Sequence, residues 1–194
     1  TFGLFKSDTT EFTEDKAILT AVTDENGVFV FNNIPYGEYL IKELKAADGY
    51  LDNEDVFTVT IKDNEQVVEL TAINDKVPEL KTTATVNGKK EVIAKGKITI
   101  KDTVEYKHLV PNTEYVIKGT LMDKSTGKPF KVKGKEITST VKFVPDKADG
   151  KVEVTFTFDG SAIKKDTELV VFETLYRDGV ELTAHADIND DGQT

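Results

Sequence analysis

The chain of 194 residues has no cysteine and no tryptophan, and a single methionine. Without cysteine there are no disulfides, no thiolate metal sites and no thiol nucleophile, so any covalent staple has to come from other chemistry. No run approaches 18 consecutive apolar residues, which excludes a bilayer-spanning helix. Basic residues are outnumbered, with 25 Lys and Arg against 35 Asp and Glu and a net charge of −10. That balance argues against nucleic-acid binding, because nothing would neutralise phosphates, and against docking on an anionic membrane. Histidine is also scarce, with only His108 and His185. What is present is a 38% apolar and 9% aromatic composition, enough for one large or two small cores. The chain opens abruptly at Thr1-Phe2-Gly3 and reads as a fragment.

The hydrophobic periodicity is almost entirely two. Thr23 to Gly27 reads as a hairpin turn leading into a strand at Val28 to Phe31. Further strands are expected at 37–43, 56–61 and 67–73. The polar stretch Asn74-Asp75-Lys76-Val77-Pro78 marks a domain boundary, giving domains at 1–76 and 77–194. In the second, strands are expected at 97–106, 113–122, 136–143, 151–158, 168–176 and 180–188, with turns at Asn87-Gly88, Pro111-Asn112, Ser125-Thr126-Gly127, Asp149-Gly150 and Asp178-Gly179. No amphipathic helix of three turns is visible; the loop 159–165 has room for one helical turn at most. The fold class is therefore all-β, with two tandem β-sandwich domains of prealbumin or immunoglobulin-like type.

Two carboxyls stand out. In Lys97 to Tyr106, the residues Ile98, Ile100, Val104 and Tyr106 share one face, and Asp102 falls in the middle of it. A buried lone carboxylate is expensive, so Asp102 is neutral, paired, or turned outward by a bulge. Glu173 sits in Leu169 to Tyr176, apolar on both faces as in a central strand. Two such carboxyls that meet cannot both stay ionised; they share a proton and form a neutral donor in a dry place. His108, near a strand end, reads as a surface residue. His185 lies among small residues with room for a neighbour, in either a structural or a catalytic role. Asp187-Ile188-Asn189-Asp190-Asp191-Gly192 fits the first half of a calcium loop, but no flanking helix accompanies it, and no metal or cofactor is expected.

An ordered set of motifs in the second half resembles the VaFE repeat, or T-Q ester-bond domain, of Gram-positive surface proteins. It comprises Pro78-Glu79-Leu80-Lys81-Thr82-Thr83-Ala84, Ile100-Lys101-Asp102-Thr103-Val104-Glu105-Tyr106, Tyr115 to Met122, Val170-Val171-Phe172-Glu173 and His185 to Thr194. The resemblance implies an internal ester between Thr82 of the first strand and Gln193 of the last, with Asp102, Glu173 and His185 around it. Thr83 is the adjacent hydroxyl, which strand alternation points the other way. In the implied reaction His185 takes the Thr82 proton, the carboxyl pair polarises the Gln193 amide, and ammonia leaves.

The first half resembles a Cna B-type (SpaA-like) domain in Thr1 to Lys6, Thr23 to Gly27, Ile34 to Tyr39, Lys42 to Tyr50 and Ala72 to Lys76. That family joins a first-strand Lys to a last-strand Asn with a helper Glu. Glu43 and Asn74 match the helper and acceptor, while the Lys would lie upstream of Thr1 and Lys6 is a weak substitute. No isopeptide is expected within this chain, and a sheet edge is left open to an incoming strand.

Together the resemblances imply a stalk segment of an extracellular, cell-wall-anchored adhesin or pilus-like protein. Its partners would be neighbouring repeat domains and, in the alternative reading as a ligand-binding adhesin module, a host surface protein. A Thr/His/acid hydrolase is a further class the same residues would suit.

Overall fold

The computed structural model describes residues 1–163 and 166–194. The expectation of one helical turn in 159–165 is met in part by a 3-10 turn at Gly160–Ala162, and Lys164 and Lys165 lie outside the described residues. The chain divides into two compact units, Thr1–Lys76 and Val77–Thr194.

Unit 1 is built on an antiparallel sheet of β1 (Phe2–Lys6), β2 (Leu19–Ala21), β3 (Gly37–Glu43) and β4 (Val56–Ile61), in the order β2-β1-β3-β4. β1 lies between two strands, and Phe2 to Phe5 are buried in succession. Phe2, Leu4, Ile41 and Val59 form the core, with Phe29, Phe31, Leu70 and Ala72 packed against it. The Phe2 and Phe29 rings stack at 4.3 Å.

The segments expected as strands at 28–31 and 67–73 join no ladder; the first keeps its in-and-out alternation, while in the second only Leu70 and Ala72 turn to the core. Around the first, Asp24 closes the turn: its carboxylate accepts the N–H of Asn26 and of Val28. Val28, Val30, Val67 and Ile73 remain exposed. Periodicity reports which side chains face the core; a ladder needs a neighbouring strand as well. The two segments instead line a cleft of about 1290 Å³ together with Phe2, Leu4, Ile41, Glu43, Val59 and Asn74.

Unit 2 is a sandwich of two antiparallel sheets. One contains β5 (Glu79–Thr85), β6 (Lys97–Lys107) and β12 (Gly150–Asp159), in the order β12-β6-β5. The other contains β7 (Tyr115–Asp123), β11 (Thr138–Phe143), β13 (Leu169–Arg177) and β14 (Val180–His185), in the order β11-β7-β13-β14, with the short β8 (Lys128–Pro129) on β7. β9 (Lys131–Val132) and β10 (Lys135–Glu136) make a small hairpin. Ile98, Ile100, Val104, Val154 and Phe156 from the first sheet pack with Ile117, Leu121, Val171 and Leu175 from the second. Each fully buried aliphatic side chain contributes about 1.5–3 kcal/mol relative to exposure.

β14 ends at His185 rather than at Ile188. The chain turns there, with the Asp187 carboxylate accepting the Asn189 N–H at 2.9 Å and the Asp187 carbonyl accepting the Asp190 N–H at 3.1 Å. The final residues then run between β5, the edge strand of the first sheet, and the part of β13 before its pairing with β14 begins at Glu173. Gly192 O accepts from Ala84 N of β5, and Gln193 O accepts from Val171 N of β13, each at 3.0 Å. This crossing segment positions the site.

Candidate functional site

β6 alternates without interruption: Ile98, Ile100, Asp102, Val104 and Tyr106 are all buried, and the residues between them are not. The register is regular on both sides, with Asp102 opposite Ala84 of β5 and Val154 of β12. No bulge turns Asp102 outward. Thr82 is buried on the same strand face as Ala84, two residues before it, while Thr83 is exposed. Glu173 enters from the other sheet, paired in register with Gly119 of β7 and with His185 of β14.

Asp102, Glu173 and Gln193 are all fully buried. The Gln193 Nε2 donates to His185 O at 3.1 Å and to Glu173 Oε2 at 3.4 Å. Four oxygens in this pocket have no hydrogen-bond partner among the described residues: both of Asp102, Glu173 Oε1 and Gln193 Oε1. A cluster of acceptors with no donor is the signature of a missing proton. Burial, reinforced by the neighbouring Asp102, pushes the Glu173 carboxyl up to about 10. Burial raises Asp102 as well, although Glu173, Thr82 and the Thr83 N–H, close by but outside bonding geometry, pull it part of the way back. At neutral pH Glu173 therefore keeps its proton and is a neutral acid beside Asp102, its Oε2 next to the Gln193 amide nitrogen.

His185 stands at the entrance with its side chain 22% exposed. Its Nδ1 lies 3.4 Å from Thr82 Oγ1, and its Nε2 lies 3.1 Å from Asp190 Oδ2. A carboxylate at Nε2 keeps the ring proton there and leaves the Nδ1 lone pair turned to the threonine hydroxyl. Asp190 also accepts the Gly192 N–H at 2.6 Å, so one side chain orients the imidazole and shapes the turn before Gln193. Space is tight at Gly192: a Cβ there would stand 3.0 Å from Thr82 O and 2.9 Å from Asp190 Oδ1, so the Asp190 side chain would have to shift.

The structure thus brings Thr82, Asp102, Glu173, His185 and Gln193 into one pocket. Asp190 joins them without being among the residues the motifs assign to the site. Its carboxylate belongs to the stretch that fits a half calcium loop, yet the Asp187 and Asp190 oxygens are engaged by the turn and by His185. Among the described residues no group of three His, Asp or Glu is arranged to hold a metal ion. The signal that points to Asp190 is its position five residues past His185, within reach after a single turn. His108 lies apart from this pocket, half-buried at the end of β6 with Nδ1 3.4 Å from Val77 O.

In unit 1, Glu43 is buried and its Oε2 accepts from Asn74 Nδ2 at 2.6 Å and from Asn53 N at 2.7 Å. Glu43 pairs with Phe2 at one end of the β1–β3 ladder, and Lys6 pairs with Tyr39 at the other. Lys6 is therefore not brought to Glu43 and Asn74.

Comparison with known proteins matches both units. Residues 78–194 match the T-Q ester bond containing domain, and residues 1–76 match a prealbumin-like fold domain. No curated protein matches the chain. Among solved structures, a bacterial adhesin from Mobiluncus mulieris containing intramolecular disulfide, isopeptide and ester bond cross-links aligns with a TM-score of 0.52 at 21% identity. That alignment covers 61% of this chain and 56% of the adhesin. A variant of BcpA, the major pilin subunit of Bacillus cereus, aligns with a TM-score of 0.51 at 18% identity, over 90% of this chain and 58% of the pilin. The chain thus spans less than two thirds of either, and at these identities the likeness is one of fold. By the match over its larger unit, this chain belongs to the family of T-Q ester bond containing domains.

Proposed function

We propose that Thr82 and Gln193 join in an intramolecular ester, and that the chain is a load-bearing stalk segment of a bacterial surface adhesin or pilus-like protein. The single observation that carries this reading is the placement of a His-paired threonine hydroxyl and a fully buried glutamine amide in one pocket with two buried carboxyls, three of whose four oxygens have no partner among the described residues.

His185 Nδ1 takes the Thr82 Oγ proton as Oγ attacks Gln193 Cδ. The protonated Asp102–Glu173 pair donates to the oxyanion developing on Gln193 Oε1. The Oγ–Cδ bond forms, the Cδ–Nε2 bond breaks, and the proton held by His185 passes to the departing nitrogen, which leaves as ammonia. Amides resist alcohols, so fixed geometry supplies much of the acceleration; effective molarities reach about 10⁵–10⁸ M in such arrangements. Burial then shields the ester from water. The reaction turns over once, so the chain modifies itself and is not an enzyme acting on a substrate.

The bond ties the first strand of the domain at 77–194 to its last segment. Tension entering near Thr82 leaves near Gln193 without unzipping the sheets between. Such a device suits an extracellular, cell-wall-anchored protein whose partners are neighbouring domains of the same kind. In the domain at 1–76, Glu43 and Asn74 stand at the helper and acceptor positions of an isopeptide, beside a cleft with room for a strand.

Proteolysis of the purified chain should release the peptides bearing Thr82 and Gln193 as one joined species, and hydroxylamine should separate them. Hydroxylamine leaves an isopeptide intact, so the cleavage identifies the ester. Two free peptides before hydroxylamine treatment would overturn the reading.

A further inference from the structure

The reaction needs Gln193 held still, yet Gln193 sits in a terminal segment outside every strand. Two of its main-chain ties come from the sheets, through Ala84 N and Val171 N. The turn itself adds two, Gln193 N donating to Asp190 O at 3.2 Å and Gly192 N to Asp190 Oδ1 at 2.6 Å, and three more come from one side chain in a loop. Lys90 Nζ donates to Asp191 O at 3.0 Å, Gly192 O at 2.7 Å and Thr194 O at 2.9 Å. An ammonium has three protons, and here they go to three carbonyls that bracket Gln193 on both sides. The fourth carbonyl of the segment, that of Gln193, is the one Val171 holds.

Lys90 is itself directed by its own turn. Asn87 and Gly88 both have positive φ, 50° and 75°, and Val86 and Lys89 exchange hydrogen bonds across them at 2.8 and 3.0 Å. That is the two-residue hairpin favoured by Asn-Gly, and it fixes the direction in which the next residue leaves β5. The turn thus springs from the same strand that carries Thr82. Nucleophile and latch share one rigid base, and the latch grips the chain around the electrophile.

We propose that Lys90 is a positioning residue for the cross-link, its ammonium clamping the backbone around Gln193 so that the side-chain amide stays within reach of Thr82. This rests on the ester reading above. Lys90 touches no reacting atom, and its charge-assisted bonds act on main-chain carbonyls only. Misplacement by about 1 Å costs up to about 100-fold in reactions of this kind.

The test follows the loss of ammonia over time, by intact mass, after refolding wild type, Lys90→Met and Lys90→Arg. Met keeps the length and apolar stem without the donors; Arg restores charge and donors. Lys90→Met should form the bond at least about tenfold more slowly than wild type, with Lys90→Arg recovering most of the rate. Circular dichroism of each variant before the bond forms checks that the β-structure is present. Should Lys90→Met destabilise the refolded chain, Lys90→Gln, which keeps polarity and a single short donor group, takes its place with the same expected slowing. A Met or Gln variant that closes at the wild-type rate, or an Arg variant as slow as Met, would overturn the proposal. Wild type that never loses ammonia would instead overturn the ester reading, so the two failures are distinguishable.

Discussion

Replacing Thr82 with alanine should lower the stability of residues 77–194 by about 5 kcal/mol, because it removes the only atom able to close the loop. A covalent link between positions 82 and 193 encloses about 110 residues, and loop-closure entropy for a span of that order is worth about 4–5 kcal/mol. The lost methyl and hydroxyl contacts account for about 1 kcal/mol on their own. Thr82→Ser separates the two contributions: serine keeps the hydroxyl, so it should still cross-link and retain most of the stability. Guanidinium unfolding of the full chain, following the transition of the larger unit, reads the difference. Proteolysis should show a larger contrast, since the closed chain cannot separate its first strand from its last. A Thr82→Ala chain that unfolds at the wild-type denaturant concentration would mean that no loop is closed.

The second large effect concerns protons. Glu173 has its folded value pushed up to about 10, far above the ordinary carboxylate range. Between those limits the folded state binds a proton that the unfolded state releases. Stability from this group is therefore complete below the ordinary range and is lost as pH rises toward 10, with a slope of up to about 1.4 kcal/mol per pH unit. In the Thr82→Ala background, where no ester masks the equilibrium, the larger unit should be markedly less stable at about pH 8.5 than at about pH 5.5. Converting both carboxyls to amides, Asp102→Asn with Glu173→Gln, should flatten that dependence, since neither group can then ionise. Bond formation in wild type should also slow as pH climbs toward the Glu173 value, because the pair then loses the proton offered to the oxyanion. An equal pH dependence in the presence and absence of the two carboxyls would contradict the shared-proton account.

Several parts of this site are legible in the sequence, and for identifiable reasons. Asp102 is visible because strict alternation in β6 leaves a charged residue where only apolar ones belong. Glu173 is visible because its strand is apolar on both faces, which marks a central position. Thr82 and Gln193 carry no such signal. Threonine is at home on either face of a strand, and Gln193 lies in an acidic, glycine-containing turn that reads as exposed although the side chain is fully buried. Only the ordered motif set points to them. Asp190 and Lys90 escape for another reason: their partners are His185 and main-chain carbonyls, and a sequence pattern does not display main-chain carbonyls.

The fold shows the same division. The strands at 37–43 and 56–61 fall where the alternation puts them, because each has a ladder partner on at least one side. The segments 28–31 and 67–73 have no ladder partner, so they cover the core through Phe29, Phe31, Leu70 and Ala72 without forming strands. β1 is the converse. Phe2 to Phe5 are buried in succession, so it shows no period of two, yet it pairs on both edges.

The central claim is that a hydroxyl and an amide fuse with loss of ammonia, and intact mass spectrometry of the purified full chain tests it most directly. The account predicts a wild-type mass one ammonia below that of the sequence, with Thr82→Ala restoring the full sequence mass. A wild-type mass equal to that of the sequence would contradict it.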